Sequence, residues 1–80
     1  MVEPLRKIKA DFITKLAPSF SEMEAGLLFQ IILRDAFDVS KTDEILGNVS
    51  LSNEQLIFID EAAIRLLKNE PIQQIIGFNY

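Results

Sequence analysis

Leu27-Leu28-Phe29-Gln30-Ile31-Ile32-Leu33 decides the fold, because six of its seven residues are apolar and together they cover nearly every face of a helix. Such a helix is expected to be surrounded by others, with Gln30 marking its one outward stripe. Its start lies just upstream. Ser21 and Glu24 have the spacing of a capping box, in which the serine oxygen and the glutamate carboxylate satisfy unpaired N–H groups of the first turn. Phe20, directly before the capping serine, suits a hydrophobic staple.

Toward the N-terminus, Leu5, Ile8, Phe12 and Leu16 recur three or four apart while Arg6, Lys7, Lys9 and Asp11 fall on other faces. That period predicts an amphipathic helix over about residues 3–17. Pro4 is tolerated in a first helical turn, and Pro18 is expected to end the helix by biasing Ala17 away from α geometry. Toward the C-terminus, Ser40 predicts a cap for a short third helix running to about Leu46, with Ile45 and Leu46 inward and Gly47 left-handed at its end. Ser52 with Gln55 repeats the capping box and opens a long fourth helix, where Leu56, Ile59, Ala63, Leu66 and Leu67 hold core spacing. Asn69 suits a left-handed helix end, and Pro71 the first position of a fifth helix with Ile72, Ile75 and Ile76 on one face and Gly77 after it. Phe78-Asn79-Tyr80 reads as the start of a strand with nothing in the chain to pair with, as if the chain were cut there. The expectation is an all-α bundle of about five helices ending at the start of a linker strand.

Eighty residues make one domain, and without cysteine or histidine no disulfide framework and no usual zinc set can be built. No run of eighteen apolar residues occurs, so a soluble, cytoplasmic protein is expected. The net charge of −4 repels phosphate backbones and argues against a nucleic-acid partner. Residues 1–15 nevertheless carry four basic against two acidic groups, an asymmetry that reads first as a solvated helix face.

Chemistry is sparse. Gly26, Gly47 and Gly77 are isolated, so no phosphate loop is present, and no histidine stands ready to activate Ser21, Ser40 or Ser52, which read as caps. Glu22 with Glu24, Asp43 with Glu44, and Asp60 with Glu61 lie in polar stretches where solvation is expected to keep their pKa ordinary. Phe12, Phe29, Phe37 and Phe58 read as core. An acyl carrier protein of this length would carry an Asp-Ser-Leu triplet at its second helix. Ser21 lies between Phe20 and Glu22, and Ser50 follows Val49, so the triplet is absent.

Three stretches carry a resemblance. Ser21-Glu22-Met23-Glu24-Ala25-Gly26-Leu27-Leu28, Leu51-Ser52-Asn53-Glu54-Gln55 and, most specifically, Asn69-Glu70-Pro71-Ile72-Gln73-Gln74-Ile75-Ile76-Gly77 are similar to segments of the N-terminal domain of the HemK-type protein-(glutamine-N5) methyltransferases. Asn69 stands where that family often has glycine, Gln74 where an aromatic residue is frequent, and Gly26 where a larger residue is usual.

The resemblance implies that residues 1–77 are a helical substrate-recognition domain and residues 78–80 the start of a linker, with Glu70, Pro71, Ile72 and Gly77 as structural and linker residues. It implies a parent that transfers a methyl group from S-adenosylmethionine to the glutamine of a Gly-Gly-Gln motif in a peptide chain release factor. Cofactor and catalytic residues would then lie in a Rossmann-like domain outside this chain. The partner implied is the release factor, met by exposed residues of the first two helices, with neither nucleic acid nor membrane engaged directly. The second reading is a free-standing acidic helical adaptor or carrier.

Overall fold

Leu5, Ile8, Phe12 and Leu16 are all buried, and they form the single inward face of α1 (Leu5–Leu16) in a computed structural model that describes residues 4–47 and 49–77. Pro4 is the cap of this helix rather than part of its first turn. Its backbone is extended, with ψ 143°, and its carbonyl accepts from the Lys7 and Ile8 N–H groups. Residue 3, the expected start, lies outside the described residues. Pro18 does not push Ala17 out of α geometry. Ala17 keeps φ −51° and ψ −36°, and the chain leaves the helix through a tightened turn in which Ser19 and Phe20 both donate to the Leu16 carbonyl. The proline's steric preference is a bias that these closing hydrogen bonds override.

The box at Ser21 forms as expected and opens α2 (Glu22–Ile31): Glu24 N–H donates to Ser21 Oγ at 3.1 Å, and Ser21 N–H to Glu24 Oε1 at 3.0 Å. Ala25 and Phe29 are buried, but the helix is not surrounded. Met23 is 78% exposed and Leu27 55%, whereas Gln30, expected outermost, is half-buried. The reason is the number of neighbours: α2 packs on α1 and on its own continuation, and an 80-residue chain has too few elements to cover every side of one helix. That continuation is a π turn (Ile32–Ala36), closed by Val39 N–H to the Leu33 carbonyl at 2.8 Å with Asp38 left-handed at φ 58°. It carries Ile32 and Leu33 into the core.

Ser40 caps α3 (Lys41–Leu46), and Gly47 ends it at φ 71°. Ile45 and Leu46 do not point inward; both are exposed, and no residue of α3 is buried. Half-buried Glu44 faces the body of the protein through Lys9 Nζ at 3.3 Å. Successive helical residues turn by about 100°, which carries Ile45 and Leu46 away from that side.

Ser52, boxed with Gln55, opens α4 (Asn53–Leu67). Its buried face is Ile59, Ala62, Ala63 and Leu66, with Leu56 and Leu67 half-buried at its edges. Ala62, which the core spacing did not include, is buried on this face beside Ala63. Asn69 is left-handed at φ 67°, as expected, while Pro71 caps α5 (Ile72–Ile76) from outside instead of beginning it. Ile75 is buried, Ile72 and Ile76 half-buried, and Gly77 ends the helix at φ 75°. The strand expected at residues 78–80 lies outside the described residues.

The described residues are helices and their connections, with no strand among them. α1 packs on α2 and α4, and α5 closes the bundle against α4 and the π turn. Phe12 and Phe29 hold the centre as expected, with centroids 5.4 Å apart, whereas Phe37 and Phe58, which meet edge-on at 5.6 Å, are only half-buried against the side of the core. No described helix is long and apolar enough to cross a membrane.

Candidate functional site

The serines sit where the sequence placed them, each as a helix cap. Ser21, Ser40 and Ser52 each accept a backbone N–H through their hydroxyl oxygen, at 3.1, 3.1 and 3.2 Å, and each gives its own N–H to the side chain three residues on. Nothing in these arrangements resembles an activated nucleophile. Two carboxylates are held by near neighbours in the chain. Glu24 departs from the ordinary value expected for it: the Ser21 N–H and hydroxyl hold its carboxyl below the usual glutamate range. Asp35 is held low by the neighbouring Arg34. Among the described residues no group of three potential metal ligands comes together.

The basic excess of α1 is partly consumed inside the molecule. Lys9 reaches Glu44 on α3, and Lys15 reaches Asp60 on α4. The Lys15–Asp60 pair lies at the rim of a cavity of about 290 Å³ between α1 and α4, lined by Ile8, Phe12, Leu56 and Ile59. These lysines tie helices together, so the asymmetry seen in the sequence does not translate whole into a positive surface.

Two features stand out on the exterior. The first is an open cleft of about 530 Å³ between α1 and α2, where Ile13, Met23 and Leu27 supply apolar surface and Lys9, Glu22 and Gln30 a polar rim. Gly26 lies in it, inside α2. A Cβ placed there would come no closer than 3.9 Å to Lys9 Cε, an ordinary contact, so packing does not demand glycine. A glycine inside a helix costs about 1 kcal/mol relative to alanine. The fold gains nothing from it at this position, whereas the cleft keeps an open wall.

The second feature is the junction of α4 and α5, which gathers Glu70, Pro71 and Ile72. Arg65 Nε donates to both carboxylate oxygens of Glu70 at 3.1 Å, and Arg65 Nη2 donates to Oε1 at 3.0 Å. The same two residues are joined through the backbone, Glu70 N–H to the Arg65 carbonyl at 3.1 Å, as in a Schellman closure around left-handed Asn69. The guanidinium holds the Glu70 carboxyl below its usual range, and the carboxylate raises Arg65 in turn. Gly77 lies apart from this pair, at the far end of α5. Sequence reasoning singled out Glu70 but missed Arg65. The signal available was a basic residue in the last turn of α4, five positions before an acid and across a helix-ending asparagine.

The PrmC N-terminal domain family matches residues 14–77 of the chain. The chain is also 30% identical, over 74 residues, to the release factor glutamine methyltransferase of Flavobacterium psychrophilum. That alignment takes in 91% of this chain and 26% of the relative, so the chain spans about a quarter of that protein's length. No solved structure matches the chain.

Proposed function

The chain belongs to the PrmC N-terminal domain family, and from that premise we propose that residues 1–77 are the substrate-recognition domain of a release factor glutamine methyltransferase. The parent would methylate the glutamine of a Gly-Gly-Gln motif in a peptide chain release factor. The observation that carries the reading is the α1–α2 cleft: exposed Met23 and Leu27 on a face that the bundle leaves uncovered, beside a glycine the fold does not require. An apolar patch with a polar rim is the usual form of a protein-binding surface.

S-adenosylmethionine, the donor implied by the family, has no fitting site among the described residues. The described glycines Gly26, Gly47 and Gly77 are isolated, and none follows a strand or opens a phosphate-binding turn. No step of the transfer is assigned to this chain. Its part is to hold the release factor. A rigid bundle attached to a catalytic unit makes the second contact effectively intramolecular and raises affinity without altering the chemistry.

The test is an NMR titration of the ¹⁵N-labelled domain with an intact release factor. Shifts concentrated on Ile13, Met23, Gly26 and Leu27, and abolished by Leu27→Glu in a domain that stays folded, support the reading. Shifts confined to α3 and α4, or none at protein concentrations in the hundreds of micromolar, would overturn it.

A further inference from the structure

We propose that Arg65 and Glu70 are positioning residues, whose forked pair fixes the direction in which α5 carries the chain out of the bundle; the consequence for catalysis rests on the function proposed above.

The turn between α4 and α5 has what it needs without the pair. Left-handed Asn69 reverses the chain, the Glu70 N–H to Arg65 carbonyl bond closes the helix end, and the Pro71 carbonyl receives the Gln74 and Ile75 N–H groups. The side chains of Arg65 and Glu70 are 41% and 33% exposed, and partly solvated ion pairs add little to stability. What a two-pronged guanidinium–carboxylate contact adds is orientation, because both partners are planar and two parallel bonds forbid rotation about either one.

That restraint falls on a short and thinly anchored element. α5 has five residues, too few to persist on their own, and only Ile75 is fully buried in the core. Without the fork, α5 would be free to pivot about residues 69–71, with half-buried Ile72 and Ile76 sliding over α4 and the π turn. Whatever is attached beyond Gly77 would swing with it, since a small change of angle at a hinge becomes a large displacement at a distance. In a parent built like the matched relative, of which the chain spans about a quarter, the fork would set where the recognition surface stands relative to the remainder.

Two measurements test this separately from the proposed function. In the 80-residue chain, residual dipolar couplings of α4 and α5 amides are compared for wild type, Arg65→Gln and Arg65→Lys. The expected result is unchanged couplings in α1–α4 with averaged couplings in α5 for Arg65→Gln, and incomplete rescue by lysine, which keeps the charge but lacks the fork. Unchanged α5 couplings in Arg65→Gln would overturn the positioning role whatever the protein's substrate.

In the full-length protein, methyl transfer is then compared on an intact release factor and on a short peptide bearing the same glutamine. KM for the intact factor should rise about tenfold in Arg65→Gln, a fraction of the ~10²-fold or more that linking two sites contributes. The kcat, and both constants for the peptide, should stay as they were. An unchanged KM alongside a loosened α5 also overturns the proposal. A wild-type protein that methylates no release factor would sink the functional reading instead, and leave the couplings to judge the fork.

Discussion

Gly26→Ala should make this protein more stable, and Gly47→Ala less so, although the two substitutions are chemically identical. Gly26 has helical geometry inside α2, and a methyl group there would meet only Lys9 Cε at 3.9 Å. The alanine therefore gains helix propensity and restricts the unfolded chain without overpacking, a benefit of about 0.5–1 kcal/mol. For a domain of this size that corresponds to a rise in Tm of about 2–8 °C. At Gly47 the space is equally open but φ is +71°, and the left-handed region costs a residue with a Cβ about 1–2 kcal/mol. Because α3 buries no residue, that cost should appear as faster amide exchange in α3 more than as lower global stability. Urea titration and calorimetry of the two variants decide the matter. A Gly26→Ala variant destabilised by more than about 1 kcal/mol would refute the claim that packing leaves the position free. If it is stabilised, as expected, the fold has no need of glycine there, and on the function proposed above Gly26→Leu should impair release factor binding while the fold survives.

Ser52→Ala removes the oxygen that accepts from Gln55 N–H and should cost about 1 kcal/mol in urea titration, a loss that Ser52→Asp largely avoids. Phe29→Ala empties the position against Phe12 in the fully buried core and should cost about 3–5 kcal/mol, a large share of the stability of a domain this size, read as a marked drop in the urea midpoint by circular dichroism. Stability should fall in acid through Glu24 and Glu70. Their folded-state pKa values lie below the unfolded value of 4.5, so their contribution is complete above that value and disappears as pH drops through the lower folded one. The double variant Glu24→Gln, Glu70→Gln should flatten the decline below pH 4.5, and an unaltered slope would show that other carboxylates carry it.

The parts of the fold that could be read in the sequence are those decided within a few residues. Ser21, Ser40 and Ser52 cap helices because each serine oxygen accepts the backbone N–H three places on, and the side chain there accepts the serine's own N–H, without help from the rest of the molecule. Leu5, Ile8, Phe12 and Leu16 were legible because α1 has one apolar stripe and the bundle covers it. Where the outcome depends on neighbours, period alone misleads. Met23 and Leu27 have the hydrophobicity of core residues, but among the described residues nothing covers them. α3 is under two turns long, too short for its apolar residues to fix its rotation, and the Lys9–Glu44 contact sets it with Ile45 and Leu46 outward. The π turn has no proline or glycine to announce it.

The same distinction separates the two exterior features. The pairing of Arg65 with Glu70 escapes the helical rules of three and four residues because it spans five positions and depends on Asn69 turning the chain back on itself. The cleft escapes them because it is a difference between what α1 and α2 offer and what the bundle covers, which no single position expresses. Glu24 and Glu70 are each held low by a partner three to five residues away at a helix end, and Asp35 by the adjacent Arg34. A group committed to such a partner in the resting protein is a poor proton donor or acceptor for a substrate. What remains for these residues is placement: of helix ends, of α5, and through α5 of the surface that Met23 and Leu27 present. On the function proposed above, perturbing them should therefore be read in the affinity for a large protein substrate, where relative placement of two surfaces matters, and not in the rate at which a bound glutamine reacts.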